Sequence, residues 1–165
     1  MNQDWINLAE ALRHEVADYG GLLHLFEKQQ ACLFERDAEG VLRLSAEIES
    51  QVHALNDRRR TREELVALFA GARGQPVNST LRSLLPHFSA DVRPLIEALM
   101  NEINVLIHRV RRVSRHNHTL LARTVESHQE TLRTLRPDAF TQTYSPSGRP
   151  SLTTARPTAA LRAAG

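Results

Sequence analysis

The feature that most constrains this fold is a mainly apolar stripe that runs from Val92 to Leu135 in steps of three or four residues. After Pro94, no glycine or proline occurs until Pro137. Pro94 itself falls in the first turn of the predicted helix, where a missing amide costs no hydrogen bond. The spacing predicts one helix of about 45 residues, roughly 70 Å long, with a single apolar face. Such a helix must bury that face against other helices or another chain.

Two further stripes of the same kind precede it. The first covers residues 5–33 and contains Gly20 and Gly21, which indicate a local bend or the close approach of a neighbouring helix. The second begins after Asp37, a predicted N-cap, and ends near Gly71. The short distance between the two stripes predicts that the second helix folds back on the first.

The remaining segments are a linker and a tail. A short helical turn is predicted at residues 79–85, closed by Pro86. Residues 137–165 are rich in Pro, Ser, Thr and Ala and hold too few bulky apolar side chains to offset chain entropy. The predicted fold is therefore all-α: an elongated antiparallel helical hairpin or bundle of three long helices over residues 1–136, followed by a disordered, flexible tail over 137–165.

Composition narrows the classes of function. Residues 1–136 carry equal numbers of basic and acidic side chains, so the net charge of +2 comes from the tail. Cys32 is the single cysteine, which excludes a disulfide within the chain and fits a reducing compartment. Residues 1–5 do not resemble a signal peptide, and no stretch approaches about 18 apolar residues. A cytoplasmic protein is expected.

No pattern of residues indicates an enzyme. Nucleotide-binding loops and nucleophile motifs are absent from the sequence. Among the eight histidines, His116 and His118 are two residues apart and point to different sides of a helix, whereas metal ligands four residues apart would share a face. We therefore predict no catalytic residues, no cofactor and no metal site, and we expect Cys32 to be a structural residue.

The strongest competing signal is basic. Residues 104–136 hold seven arginines against Glu126 and Glu130, a local charge of +5 that could contact nucleic-acid phosphates. The arginines spread around the helix, however, and aromatic side chains for base stacking are absent from this stretch. An RNA-associated protein is the minor alternative. Pairing with acidic faces of the first two helices, or of a partner, is the favoured interpretation.

The last third of the sequence carries a family resemblance. Asn117 replaces an apolar residue in the stripe, as a register-setting amide does. The stretch 116–121 reads His-Asn-His-Thr-Leu-Leu, the helix that follows ends at Leu135-Arg136-Pro137, and residues 143–148 read Thr-Tyr-Ser-Pro-Ser-Gly. This combination resembles the C-terminal half of FlgN-family flagellar export chaperones, and the helical layout of residues 1–150 is similar too.

The resemblance implies a cytosolic chaperone for the hook-filament junction proteins FlgK and FlgL. Such a chaperone covers a terminal helical segment of its client, prevents premature assembly, and delivers the client to the gate of the flagellar type III export apparatus, where FlhA is the implied partner. The resemblance also makes Tyr144 and Gly148 the expected contacts with this gate.

The client site is predicted from the apolar stripe, which extends past the expected end of the second helix. The candidate contacts are Asn117, Leu120, Leu121, Val125 and Leu132. Two alternatives stay open. The same leucines could close the bundle within one chain, and a generic coiled-coil adaptor would show the same pattern. An exposed stripe also allows the unbound protein to form a homodimer.

Overall fold

The computed structural model describes residues 3–135, 140–144 and 150–154. Its elements are α1 (Gln3–Glu35), α2 (Ala38–Gly71), α3 (Leu81–Leu84), a 3-10 turn (Leu85–His87), α4 (Arg93–Leu135), β1 (Phe140–Tyr144) and β2 (Pro150–Thr154). The three long helices confirm the predicted all-α class. The chain divides into two compact units, residues 1–119 and 120–165, and the division falls within α4. The domain limits predicted from the sequence, 1–136 and 137–165, stay a prediction.

A tight turn reverses the chain between α1 and α2. Asp37 caps α2, because its carboxylate accepts a hydrogen bond of 2.9 Å from the amide of Gly40. Arg36 adopts a positive φ of 58° to make the reversal. Two polar contacts join the helices at opposite ends. Gln29, late in α1, donates to the hydroxyl of Ser45, early in α2, at 3.0 Å, and Arg62, late in α2, lies 3.1 Å from Glu15, early in α1. This order shows that the two helices are antiparallel.

The core of the first unit lies where α4 packs on this hairpin. Its buried side chains come from all three long helices, among them Leu8, Leu12, Phe69, Ile96 and Ile103. Burial of these side chains supplies the main favourable term for folding. The core continues along α4 as far as Val110, with Val113 packed at its edge.

Gly20 and Gly21 require a correction. The helix α1 continues through both residues. A Cβ atom added at Gly20 would meet nothing within 4 Å, and one at Gly21 would meet only the flexible Gln51 amide at 3.7 Å. The expected close approach of a neighbouring helix is therefore wrong, because space for a side chain exists at both positions.

The connection from α2 to α4 is held in place at both of its ends. The rings of Phe69 and Phe88 stack at 4.2 Å between centroids, and the Arg73 guanidinium carbon lies 3.3 Å from the centre of the Phe69 ring. Arg93 donates hydrogen bonds to three carbonyl groups of residues 85–88. Thr80 caps the short helix α3, as the predicted turn at 79–85 requires. Pro86 does not close this segment, since it lies inside the 3-10 turn.

The tail contains an element that the sequence analysis did not anticipate. Strands β1 and β2 form an antiparallel hairpin, with Phe140 opposite Thr154 and Tyr144 opposite Pro150. The prediction of a disordered tail is therefore corrected over these ten residues. Residues 140–144 are Phe-Thr-Gln-Thr-Tyr, which favour extended backbone, and the intervening Pro, Ser and Gly are turn residues. The rest of 137–165 lies outside the described residues.

Candidate partner-binding surface

Asn117 fixes the position of α4 along α1. Its side chain is only 3% exposed. The amide nitrogen donates to the carbonyl of Phe26 at 2.8 Å and to the side-chain oxygen of Gln29 at 3.1 Å. The amide oxygen has no hydrogen-bond partner. Because a buried amide must find these two acceptors, Asn117 penalises any shift of α4 along α1.

Beyond Asn117, the apolar stripe of α4 is largely exposed. Leu121, Val125 and Leu132 are 42%, 48% and 49% exposed, and Leu135 is 71% exposed. Between residues 118 and 135 only Leu120 and Gln129 are partly buried. We call Leu121, Val125, Leu132 and Leu135 the leucine–valine stripe. Large apolar side chains repeated along one exposed helix are typical of a surface that another helix covers.

The structure separates the residues that the sequence analysis grouped as one site. Asn117 is buried inside the bundle, where it contacts α1. Leu120 is half-buried, whereas Leu121, Val125 and Leu132 are accessible. Leu135 continues the same stripe and was left out of the predicted set, although its spacing from Leu132 could have identified it. The predicted gate contacts fall elsewhere: Tyr144 ends β1, and Gly148 lies outside the described residues.

A buried ion pair lies between α1 and α2. Glu15 is 1% exposed, and Arg62 Nε lies 3.1 Å from its carboxylate. That carboxylate oxygen accepts no hydrogen bond, so the attraction is Coulombic. Burial raises the pKa of Glu15, and the guanidinium groups of Arg62 and Arg59 oppose the rise. The pair joins α1 to α2 within the first unit and has a structural role.

No group of side chains in the described residues is arranged for catalysis. No cluster that could hold a metal ion occurs within residues 3–135. Partial burial and the neighbouring Asp37 carboxylate raise the pKa of the Cys32 thiol, which disfavours the thiolate that a nucleophile or metal ligand requires. One cavity of about 410 Å³ lies beside the α2–α3 connection, and its lining residues include Arg62, Val66, Val77 and Met100. Of these, Arg62 is already paired with Glu15.

These observations define a bundle of long helices with an exposed apolar stripe on α4, and such stripes are the kind of surface with which helical proteins bind other helices. No helix in the described part of the chain is long and apolar enough to cross a membrane. The family model described as FlgN protein matches residues 1–151. The chain therefore belongs to the FlgN family of flagellar export chaperones. No curated protein and no solved structure gives a significant match.

Proposed function

We propose that this protein is a cytoplasmic chaperone that binds terminal helical segments of FlgK and FlgL through the leucine–valine stripe. Covering such a segment prevents premature assembly of the client before export. Membership of the FlgN family supports the role of export chaperone. The exposed stripe from Leu121 to Leu135 is the observation that carries the choice of site.

The physical basis is complementarity between two amphipathic helices. A client segment that becomes helical only on assembly presents an apolar face before export, and the stripe offers a second face of the same period. Burying each half-exposed leucine or valine against a client contributes about 1 kcal/mol. Asn117 contributes indirectly, since it sets the position of α4 on the bundle from which the stripe continues.

The test is a variant in which Leu121, Val125 and Leu132 are all replaced by Gln. We expect its affinity for purified FlgK or FlgL to fall by about 100-fold, because three apolar contacts of about 1 kcal/mol each are lost. Isothermal titration calorimetry measures this change. Circular dichroism checks that the helix content is unchanged, as expected for substitutions at exposed positions.

Leu68 provides the matched control, because it is 71% exposed on α2. The Leu68→Gln variant should bind both clients as the unmodified protein does. Equal binding by the triple variant would show that the stripe is not the client site. If the unmodified protein bound neither client, the proposed function itself would be wrong. Equal affinity for unrelated helical proteins would identify a generic coiled-coil adaptor instead.

Delivery to the export gate is proposed for the C-terminal segment. By family resemblance, Tyr144 and Gly148 contact FlhA. Tyr144 lies at the end of β1, after the last residue of α4. The client surface and the gate contact are thus separate in the sequence, so one variant can affect either function alone.

A further inference from the structure

The outer side of α4 carries a second surface, which is charged. Between residues 104 and 125 there are five arginines and three histidines and no Asp or Glu. Within the first unit, this segment includes His108, Arg111, Arg112, Arg115 and His116, and all five are exposed. We call these five residues the basic face.

The basic face follows a straight line along the helix. His108, Arg112 and Arg115 are separated by four and three residues, which places them in one row on the side opposite the buried Val110 and Asn117. Seven residues of α-helix span about 10 Å. Arg111 and His116 flank the row. The face is therefore a continuous row of basic side chains on the solvent-exposed side of α4.

The acidic side chains of α1 and α2 do not neutralise this face. Within residues 4–135 there are three ion pairs: Arg58–Asp18, Arg62–Glu15 and Arg109–Glu27, the last at 3.9 Å. None involves a residue of the basic face. The favoured interpretation of the sequence, pairing with acidic faces of the first two helices, therefore holds for Arg109 alone in this segment. The charge on the basic face remains available to another molecule.

The side chains of the basic face favour one class of anionic partner over the others. No Phe, Tyr or Trp occurs in α4, so the face lacks the large aromatic rings on which single-stranded bases stack most strongly. The face consists of arginines and histidines, and Val105, three residues before His108, is a single exposed apolar side chain, so a membrane would gain little insertion. The cations in the row are arginines, whose planar guanidinium groups bind carboxylates in bidentate geometry. We propose that the basic face binds an acidic helix of a partner protein, with carboxylates at matching steps of four and three residues.

A synthetic helix tests the proposal directly. The probe is a labelled, alanine-rich helical peptide with three glutamates at steps of four and three residues, and its partner peptide carries glutamine at the same positions. The full-length protein should bind the glutamate peptide in a fluorescence anisotropy titration and should not bind the glutamine peptide. The Arg112→Glu/Arg115→Glu variant should bind the glutamate peptide at least about tenfold more weakly.

The control variant is Arg60→Glu/Arg82→Glu, which makes the same change in net charge at exposed positions outside α4. Its affinity should stay within about twofold of the unmodified protein. An equal loss in the control would show that net charge alone attracts the peptide and would overturn the proposal. Tighter binding of single-stranded RNA or of phosphatidylserine vesicles through Arg112 and Arg115 would also overturn it. So would concentration-dependent dimerisation through these arginines in sedimentation experiments.

Discussion

At the scale of single residues, Glu15 is a charged residue at a position of α1 where the spacing of buried residues calls for an apolar one. Leu8, Leu12, Glu15, Tyr19 and Leu22 follow steps of four, three, four and three, and all five are buried. Glu15 therefore occupies a core position of α1. The Arg62 guanidinium offsets part of the cost of burying its charge, but desolvation remains the larger effect on its pKa.

Replacement of Glu15 by glutamine should change how stability depends on pH. The pKa of Glu15 is raised above its ordinary value of 4.5 in the folded protein. Folded protein thus holds this proton more tightly than the unfolded chain does. The corresponding stabilisation is fully present below pH 4.5 and is lost as the pH rises through the folded-state pKa. Urea denaturation from pH 4 to 8 should show the unmodified protein losing free energy of unfolding relative to Glu15→Gln as the pH increases.

A variant of Arg62, the ion-pair partner of Glu15, provides a comparison with Glu15→Gln. Arg62→Met leaves a buried carboxylate without its cation and should destabilise the protein at neutral pH by about 2–3 kcal/mol, allowing for its partial exposure. A difference between the unmodified protein and Glu15→Gln that stays constant with pH would contradict the assigned direction of the pKa shift.

Single residues also mark the limit of what the sequence could predict. Asp37 was predicted as an N-cap because an aspartate directly before an apolar stripe is enough to identify the start of a helix. Glu15 was missed, since a stripe built from apolar residues passes over a carboxylate. Asn117 was identified as a register-setting residue, but its partners on α1 depend on the packing of distant helices, which spacing does not give.

At the scale of elements, the glycines of α1 and α2 have opposite roles. Gly20 lies in open space within α1. Gly40 lies in the first turn of α2, where an added Cβ would clash with the Asp37 carboxylate and would lie 2.8 Å from Cys32 Sγ. The first glycine costs helix stability without a packing reason, whereas the second makes the tight α1–α2 reversal possible.

Alanine at each position should separate these roles. Gly20→Ala should stabilise the protein by about 0.5–1 kcal/mol through improved helix propensity. Gly40→Ala should destabilise it by about 1–2 kcal/mol, because the N-cap or the thiol must move. Thermal and urea denaturation measure both changes. Destabilisation by Gly20→Ala would show that α1 requires a glycine there.

The long helices and the short turn at residues 79–85 could be predicted, whereas the hairpin of the tail could not. Stripes of period 3.6 identify α1, α2 and α4, because burial of one face repeats over many turns. The hairpin of β1 and β2 has only five residues in each strand, and such short extended segments resemble loop sequence. The relative lengths of the helices favoured an exposed end of α4 but left open whether its leucines close the bundle within one chain. In the structure Leu121, Val125, Leu132 and Leu135 are accessible, and Leu120 is half-buried.

At the scale of the whole molecule, client binding and gate contact are proposed for different parts of the sequence. Tyr144→Ala should therefore weaken binding to FlhA by about tenfold or more, since an aromatic anchor is lost. It should leave the affinity for FlgK and FlgL unchanged. Pull-down and calorimetry with each purified partner measure the two effects. Loss of client binding with normal FlhA binding would reverse the two assignments.

Residues 118–135 of α4 gain little free energy from burial, since only Leu120 and Gln129 are even partly covered. Backbone hydrogen bonds must therefore hold this segment. The threonine hydroxyls at 119, 124, 131 and 134 bond back to carbonyls of the preceding turn, an arrangement that slightly weakens a helix. A partner that covers the stripe therefore also stabilises the helix beneath it. Binding of the partner and ordering of residues 118–135 are then coupled. The affinity for the partner depends on the conformational entropy that this segment loses on binding as well as on the contacts that it makes.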